Sequence, residues 1–274
     1  PVFKAFVKNL RDIAKNECGI EPIIVLQLTH SGRQSIVPMI AYRHPIYEEK
    51  RPVTDDNIVT DEYLKTLPEK YAHSALLAIE AGFDGVDVKS CHGYLFQELL
   101  SAFVRGGKYG GRFENRARLY LDCVSAVKEV IGDKILLGTR LSVSDMVQKP
   151  YGFGTTEKNE LDFNEPDRLI EMLVNNGVNT YMVRTDDEAI SVSTMLEIDR
   201  IRKSDILFTI TTSKSCKVVR DYNRDFPFID YIIAYNGNYV LDVENNKCLL
   251  DTKLREEDIE LIKETYPNNN KMFY

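Results

Sequence analysis

The chain has 274 residues, 43% of them hydrophobic and 28% charged, which is enough apolar material for one large barrel or two small domains. A formal net charge of -7 argues against nucleic acid as a partner, because phosphate binding needs a basic face. No apolar run approaches the roughly 20 residues that span a bilayer, and no secretory signal pattern opens the chain.

The five cysteines, Cys18, Cys91, Cys123, Cys216 and Cys248, are scattered and form no CxxC pair. That pattern points to reduced thiols in a cytoplasmic protein and offers no zinc cluster. The chain begins at Pro1 and not at Met, so an upstream segment is expected.

In chain order, Val2, Phe3, Phe6, Val7, Leu10, Ile13 and Ala14 recur at helical spacing and predict a helix over 2–16. The β-branched run IIVLQL at 23–28 predicts a buried strand. Residues 31–59, broken by Gly32, Pro38, Pro45 and Pro52, read as one long irregular loop of the kind that often carries function. A helix over 61–80, a strand at 84–89, helices near 94–103 and 114–131, and a strand at 134–141 follow. A helix at 165–176 and a strand at 178–184 complete the series.

Four strand-then-helix units imply a parallel sheet with crossover helices, wound open or closed as a barrel. No GxGxxG turn follows any of these strands, so a dinucleotide-binding sheet has no support. In barrels the chemistry sits at the C-terminal strand ends. Gln27 and His30, Lys89 and His92, and Arg140 gather there.

From about residue 185 the pattern changes. Helices are expected at 191–204 and 214–225, and strands at 206–212 and 229–235, the latter running into the turn pair Asn236-Gly237. A hairpin is expected over 238–251 around Glu244-Asn245-Asn246, and an amphipathic helix over 255–265.

The segment GFDGVDVKSCHGYLFQELLSAFVRGGKYGGRFENRAR at 82–118 resembles the Old Yellow Enzyme (NADH:flavin oxidoreductase) family. That family has a strand ending in a His-x-x-His or His-x-x-Asn pair followed by Gly-Tyr-Leu, then a Tyr-Gly-Gly-x-x-Glu-Asn-Arg segment. HGYL at 92–95 and YGGRFENR at 109–116 match in order and separation. QLTHSGR at 27–33 and GTRLS at 138–142 match two further family segments. The resemblance covers about 2–184 and implies strands three to six of an eight-stranded TIM barrel.

The resemblance also implies roles. Gln27 and Arg140 would contact FMN. An amide carries donor and acceptor together, which suits the edge of a flavin pyrimidine ring, and a fixed cation at the N1–O2 edge would stabilise the anionic reduced ring. The alternatives are a barrel-mouth amide bonded to backbone and a salt-bridged arginine.

Lys89 and His92 occupy the places of the pair that grips a substrate carbonyl. Lysine at position 89 departs from the family's histidine and offers a flexible point charge. Tyr94 matches the tyrosine that protonates the substrate α-carbon; a packed aromatic is the alternative. NADH or NADPH would be the reductant and an activated alkene the small-molecule acceptor. His30 and Arg33 match the third-strand motif without an assigned chemistry. The Gly106-Gly107 and Gly110-Gly111 pairs read as a tight approach into the next helix more readily than as a phosphate cradle.

The family's first two strands, and the seventh and eighth strands whose loops take the FMN phosphate, have no counterpart in this sequence. Instead ILFTITTSKS at 206–215 and IDYIIAYNGNYV at 229–240 resemble the Cof-like sugar-phosphatase branch of the haloacid dehalogenase superfamily over about 185–266. There Thr212 would hold the transferring phosphoryl group. The Asp-x-Asp-Gly-Thr nucleophile segment is missing, and Asp186-Asp187 lies just past where it would end.

The expected organisation is therefore a partial flavin oxidoreductase barrel at 1–184 joined to a partial dehalogenase-like α/β fragment with a small hairpin at 185–274. Three functions follow: an FMN-dependent ene-reductase, a non-catalytic fusion, or a magnesium-dependent phosphatase. Strand spacing is the same in both pieces, so one curved sheet shared between them is an available arrangement. Its exposed edges would favour a homo-oligomer.

Overall fold

The computed structural model describes residues 1–49, 51–185, 209–211, 231–234 and 239–251. The chain divides into two compact units, Pro1–Ile206 and Leu207–Tyr274. In the first unit, α1 (Val2–Cys18) precedes β1 (Val25–Leu28), and the short α2 (Pro45–Glu48) lies in the loop that follows. Next come α3 (Asp61–Lys65), α4 (Leu67–Ala81), β2 (Gly85–Val88), α5 (Leu95–Leu100) and α6 (Phe113–Ile131). The unit's described residues end with β3 (Leu136–Ser144), α7 (Asn164–Asn175) and β4 (Thr180–Thr185).

The four strands form one sheet in the order β1-β2-β3-β4, and every pairing is parallel. Parallel neighbours need a crossover, and α4, α6 and α7 supply it in turn. One face of the sheet is packed against helices. Val86, Val88, Leu137 and Leu141 on the strands meet Tyr71, Ala75 and Ala78 of α4 and Tyr120, Cys123, Val124 and Val127 of α6 in a single core. Thr139 is the polar exception; its hydroxyl donates to the Val88 carbonyl at 2.8 Å and meets the Tyr120 hydroxyl. The opposite face is open at the start of the strands, where Val25 and Leu136 are 43% and 37% exposed, and closed further along, where Lys89 and Ser142 are buried.

Several expectations shift in detail. The helix expected over 61–80 is two helices that meet at Thr66, because Pro68 in the first turn of α4 cannot continue a preceding helix. The strand expected at 134–141 begins later and runs on to Ser144, with a register shift between Ser142 and Ser144. Helix α1 forms and ends at Gly19, whose φ of 68° closes the last carbonyls. Its apolar stripe is mostly solvent-facing, however: Val7 is buried, while Val2, Phe3, Phe6 and Ile13 are exposed. Arg11 fixes the helix by donating to the carbonyls of Pro22 and Gly82 and to Asp84.

The long loop at 31–59 is better ordered than its composition suggests. Arg33 and Glu98 form a fully buried ion pair there, reinforced by the Ala41 N–H donating to Glu98 at 3.0 Å. His44 is also fully buried. Its Nδ1 accepts from the Tyr47 N–H, so its Nε2 carries the proton and donates to the Tyr151 carbonyl at 3.0 Å. Burial holds this imidazole down at about 4 against a usual 6.5.

Between those values the unfolded chain takes up a proton that the folded chain refuses. The stability that neutral His44 contributes is therefore complete above about pH 6.5 and is lost as pH falls towards about 4. The urea midpoint is expected to drop from about pH 7 to about pH 5, and His44→Gln to flatten that drop. Equal drops in both proteins would remove His44 as the cause.

In the second unit, β5 (Thr209–Thr211) pairs parallel with β6 (Tyr231–Ala234). The expected hairpin is present as β7 (Tyr239–Asp242) and β8 (Lys247–Asp251), antiparallel to one another, with β7 antiparallel to β6. Asp242 accepts from the Asn245 backbone N–H at 3.0 Å and fixes the turn. The described strands thus form two separate four-stranded sheets. The single curved sheet allowed by the sequence is not formed by them. A hairpin that turns back on β6 gives the second unit a sheet of its own. The helices expected at 191–204, 214–225 and 255–265 lie outside the described residues, as do Asp186, Asp187, Thr212, Asn236 and Gly237.

Candidate functional site at the strand ends

Period-two alternation decides which side chains share the open face. The register pairs Gln27 with Asp87 and Asp87 with Gly138. Arg140, on β3, and Lys89, just past the end of β2 and buried, lie two residues further along, so Gln27, Asp87, Lys89 and Arg140 share the side opposite the helix-packed core. Gly85 marks the same face, because a Cβ there would lie 2.9 Å from the Leu136 Cβ and 3.3 Å from a Val25 methyl. Gly138 puts no side chain beside Asp87.

The Gln27 amide nitrogen donates to Asp87 Oδ2 at 2.6 Å. Asp87 is the functional candidate that sequence reading missed. The signal was there: a carboxylate inside the otherwise apolar strand GVDV, two residues before Lys89. Burial pushes the Asp87 carboxyl up. The Gln27 hydrogen bond, the Arg140 N–H and the charges of Arg140 and Lys89 pull it back. Asp87 Oδ1 and Arg140 Nε are buried with no hydrogen-bond partner.

Past the end of β2 the chain turns sharply. His92 and Gly93 both have φ of 65°, a conformation uncommon for histidine and easy for glycine. The turn is held by the Gly93 N–H donating to Gln97 Oε1 at 2.6 Å, while the Gln97 amide nitrogen reaches Asp145 past the end of β3. Asp145 in turn accepts from the Phe153 N–H at 2.9 Å. This buried network sets the direction in which His92 and Tyr94 leave the backbone. Lys89 Nζ sits 3.5 Å from the centroid of the Tyr94 ring, and the His92 ring lies edge-on to Tyr94 at 6.4 Å. The five residues singled out in the sequence thus fall into two groups: Lys89, His92 and Tyr94 in ring contact, and Gln27 and Arg140 on either side of Asp87, with Gln27 bonded to it.

His30 takes no part in this cluster. Its Nδ1 accepts from the Gly32 N–H, its Nε2 meets the Tyr63 hydroxyl at 2.9 Å, and burial lowers its basicity. Arg33 is committed to Glu98. One glycine of each pair is a packing device: a Cβ at Gly110 would lie 2.2 Å from the Arg105 carbonyl oxygen and one at Gly107 would lie 2.5 Å from Asp61 Oδ2, while Gly106 and Gly111 face open space. A cavity of about 410 Å³ opens elsewhere, beside Tyr42, Arg43 and Arg105. Its arginines are already paired, Arg43 with Glu48 and Asp55 and Arg105 with Asp61.

The described strands thus carry amide, carboxylate, ammonium and guanidinium groups towards the C-terminal ends of a parallel sheet, the end at which open α/β sheets bind ligands. The family model for the NADH:flavin oxidoreductase / NADH oxidase family matches residues 4–192, and the chain belongs to that family. A second model, for haloacid dehalogenase-like hydrolases, matches residues 157–274 and overlaps the first.

Among similar proteins, flavin oxidoreductase hxnT of Emericella nidulans is 35% identical over 134 residues, covering 44% of this chain and 34% of that protein. An NADPH dehydrogenase of Listeria welshimeri is 35% identical over 126 residues, 44% of this chain and 36% of its own length. The NADH oxidase of Thermoanaerobacter brockii is 27% identical over 186 residues, 66% of this chain and 27% of its own. The chain thus spans about a third of the length of the curated relatives it matches. The solved structure of histamine dehydrogenase from Rhizobium sp. 4-9 aligns with a TM-score of 0.59 at 20% identity, over 84% of this chain and 35% of that one. That likeness shows a shared fold. No helix among the described residues is long and apolar enough to cross a membrane.

Proposed function

We propose that this chain carries the ring-binding and substrate-binding strands of an FMN-dependent oxidoreductase of the ene-reductase type. On this reading, β1–β4 are strands three to six of an eight-stranded barrel. The observation that carries it is the placement of Gln27, Lys89 and Arg140 on one face towards the C-terminal ends of three successive parallel strands, with the Tyr94 ring against Lys89 and the His92 ring edge-on to Tyr94. The unpartnered Arg140 Nε fits an anionic or carbonyl-rich ring edge, as bound FMN would present.

FMN, when bound, supplies hydride received from NADH or NADPH. Gln27 and Arg140 would hold the flavin ring. Lys89 and His92 donate hydrogen bonds to the carbonyl oxygen of an α,β-unsaturated acceptor, drawing charge from the β-carbon where hydride arrives. Tyr94 gives its hydroxyl proton to the α-carbon, so the alkene π bond is replaced by two C–H bonds, and water returns the proton to Tyr94.

We place the junction between two partial domains near 184/185, inside the stretch 157–192 claimed by both family models. A cytoplasmic location and self-association through exposed sheet edges belong to the same reading. The phosphatase alternative rests on the second family match; the chain contains no Asp-x-Asp-Gly-Thr segment to supply a nucleophile.

The test is titration of the purified chain with FMN. Red-shifted, structured visible absorbance with saturable quenching of flavin fluorescence is expected, and both weaken strongly in Arg140→Ala. Unchanged free-flavin spectra at saturating protein would favour a non-catalytic fusion.

A further inference from the structure

Asp87 has a hydrogen-bonding arrangement that the family-level reading leaves unused. A carboxylate can only accept hydrogen bonds, so the nitrogen end of the Gln27 amide must face Asp87 Oδ2, at 2.6 Å. The orientation of Gln27 is thereby fixed, with its second N–H and its oxygen left for a ligand. The other carboxylate oxygen, Oδ1, is buried and has no partner at hydrogen-bond geometry, although the Arg140 backbone N–H helps to hold the carboxyl's pKa down. A buried acceptor without a donor is costly, and such atoms are rare unless something else fills the role. Arg140 Nε, on the next strand and the same face, is a buried donor without an acceptor. No ion pair joins Asp87 to Arg140 among those the structure shows within 4.0 Å.

Read across β1, β2 and β3, the face therefore offers a donor from Gln27, an acceptor from Asp87 and a donor from Arg140. The complementary ligand edge is acceptor, donor, acceptor. A cyclic imide presents that pattern, with two carbonyl oxygens flanking one N–H, as in the pyrimidinedione ring of a flavin. We propose that Asp87 reads the imide N–H of the bound ring through Oδ1 while holding the Gln27 amide in its binding orientation through Oδ2. This rests on the flavin reading above and adds a residue and a ligand edge to it. Hydrogen bonds to an ionised acceptor are the stronger kind, and leaving this acceptor unpaired is penalised. Asp87 therefore selects for rings that keep the N–H.

The test compares FMN with 3-methyl-FMN, which replaces the imide N–H by N–CH3, on the full chain, on Asp87→Asn and on Asp87→Ala. Dissociation constants come from flavin fluorescence quenching, and thermal melts check that each variant is folded. The wild-type chain is expected to prefer FMN by about tenfold or more, the loss that follows when one charge-assisted hydrogen bond is removed. In Asp87→Ala the preference should shrink towards one, and Asp87→Asn should fall between because its amide oxygen still accepts. A merely structural Asp87 would weaken both ligands alike and leave their ratio intact. A folded variant that keeps the wild-type ratio overturns the inference alone. A wild-type chain that binds neither ligand overturns the flavin reading and this inference together.

Discussion

Replacing Glu98 by alanine is expected to destabilise the first unit by roughly 3–5 kcal/mol, the range found when one member of a buried ion pair is removed. Glu98 lies on α5 with its side chain fully enclosed, and Arg33 from the loop after β1 is only 3% exposed beside it. Arg33 Nε donates to Glu98 Oε1 at 2.7 Å, and the Ala41 N–H donates to Oε2 at 3.0 Å. Burial pushes the Glu98 carboxyl up, and the Arg33 charge and these donors oppose it. Alanine would leave the buried guanidinium with the Tyr42 carbonyl in place of its carboxylate partner and the Ala41 N–H with no acceptor, and would open a cavity where the carboxylate stood.

The loop at 31–59 would then lose its anchor to α5, the helix that Tyr94 leads into. Equilibrium urea unfolding followed by circular dichroism reads the change. Glu98→Gln should be intermediate, since it keeps the volume and one acceptor. A Glu98→Ala midpoint within error of the wild-type value would show that the pair contributes nothing net.

Tyr94→Phe is expected to lower turnover of an activated alkene by about 10²–10⁴-fold, the usual contribution of a positioned general acid. Lys89 Nζ lies 3.5 Å from the Tyr94 ring centroid, a contact that phenylalanine preserves. The substitution therefore removes the hydroxyl with little change in packing. Pre-steady-state kinetics separate the two halves of the reaction: reduction of bound flavin by NADH or NADPH should be unchanged, and its reoxidation by the alkene slowed. Equal slowing of both halves would point to a disturbed site, and no slowing of either would remove Tyr94 as the acid. Lys89→His, which restores the residue the family resemblance implies, tests whether the lysine departure sets acceptor choice.

Much of the fold was legible in one dimension. Alternation in GVDV and LLGTRLS, and the apolar stripe of α6, follow from local periodicity, and each became the element expected. The hairpin at 239–251 was marked by its turn residues in the same way. The exposed stripe of α1 was not foreseeable. Periodicity says which residues share a face and nothing about whether a neighbour covers it. The break at Thr66 was within reach, because Pro68 forbids a continuous helix and only the apolar spacing argued for one.

The sequence by itself determined the residue types and their order along the strands: Gln27, then Lys89, His92 and Tyr94, then Arg140. It also determined that their motifs are those of a flavin oxidoreductase family. Only the tertiary structure decided which of these groups meet. Parallel register set Gln27 beside Asp87, 60 positions away, and gave that carboxylate a hydrogen-bond partner that no local pattern assigns. The Gly93–Gln97–Asp145 network likewise fixed the exit of His92 and Tyr94 through contacts 48 residues apart. The physical reason is the same in both cases. Hydrogen bonds between strands and buried side chains depend on register and packing, which the whole chain settles together, whereas periodicity and turn chemistry are properties of a few neighbouring residues.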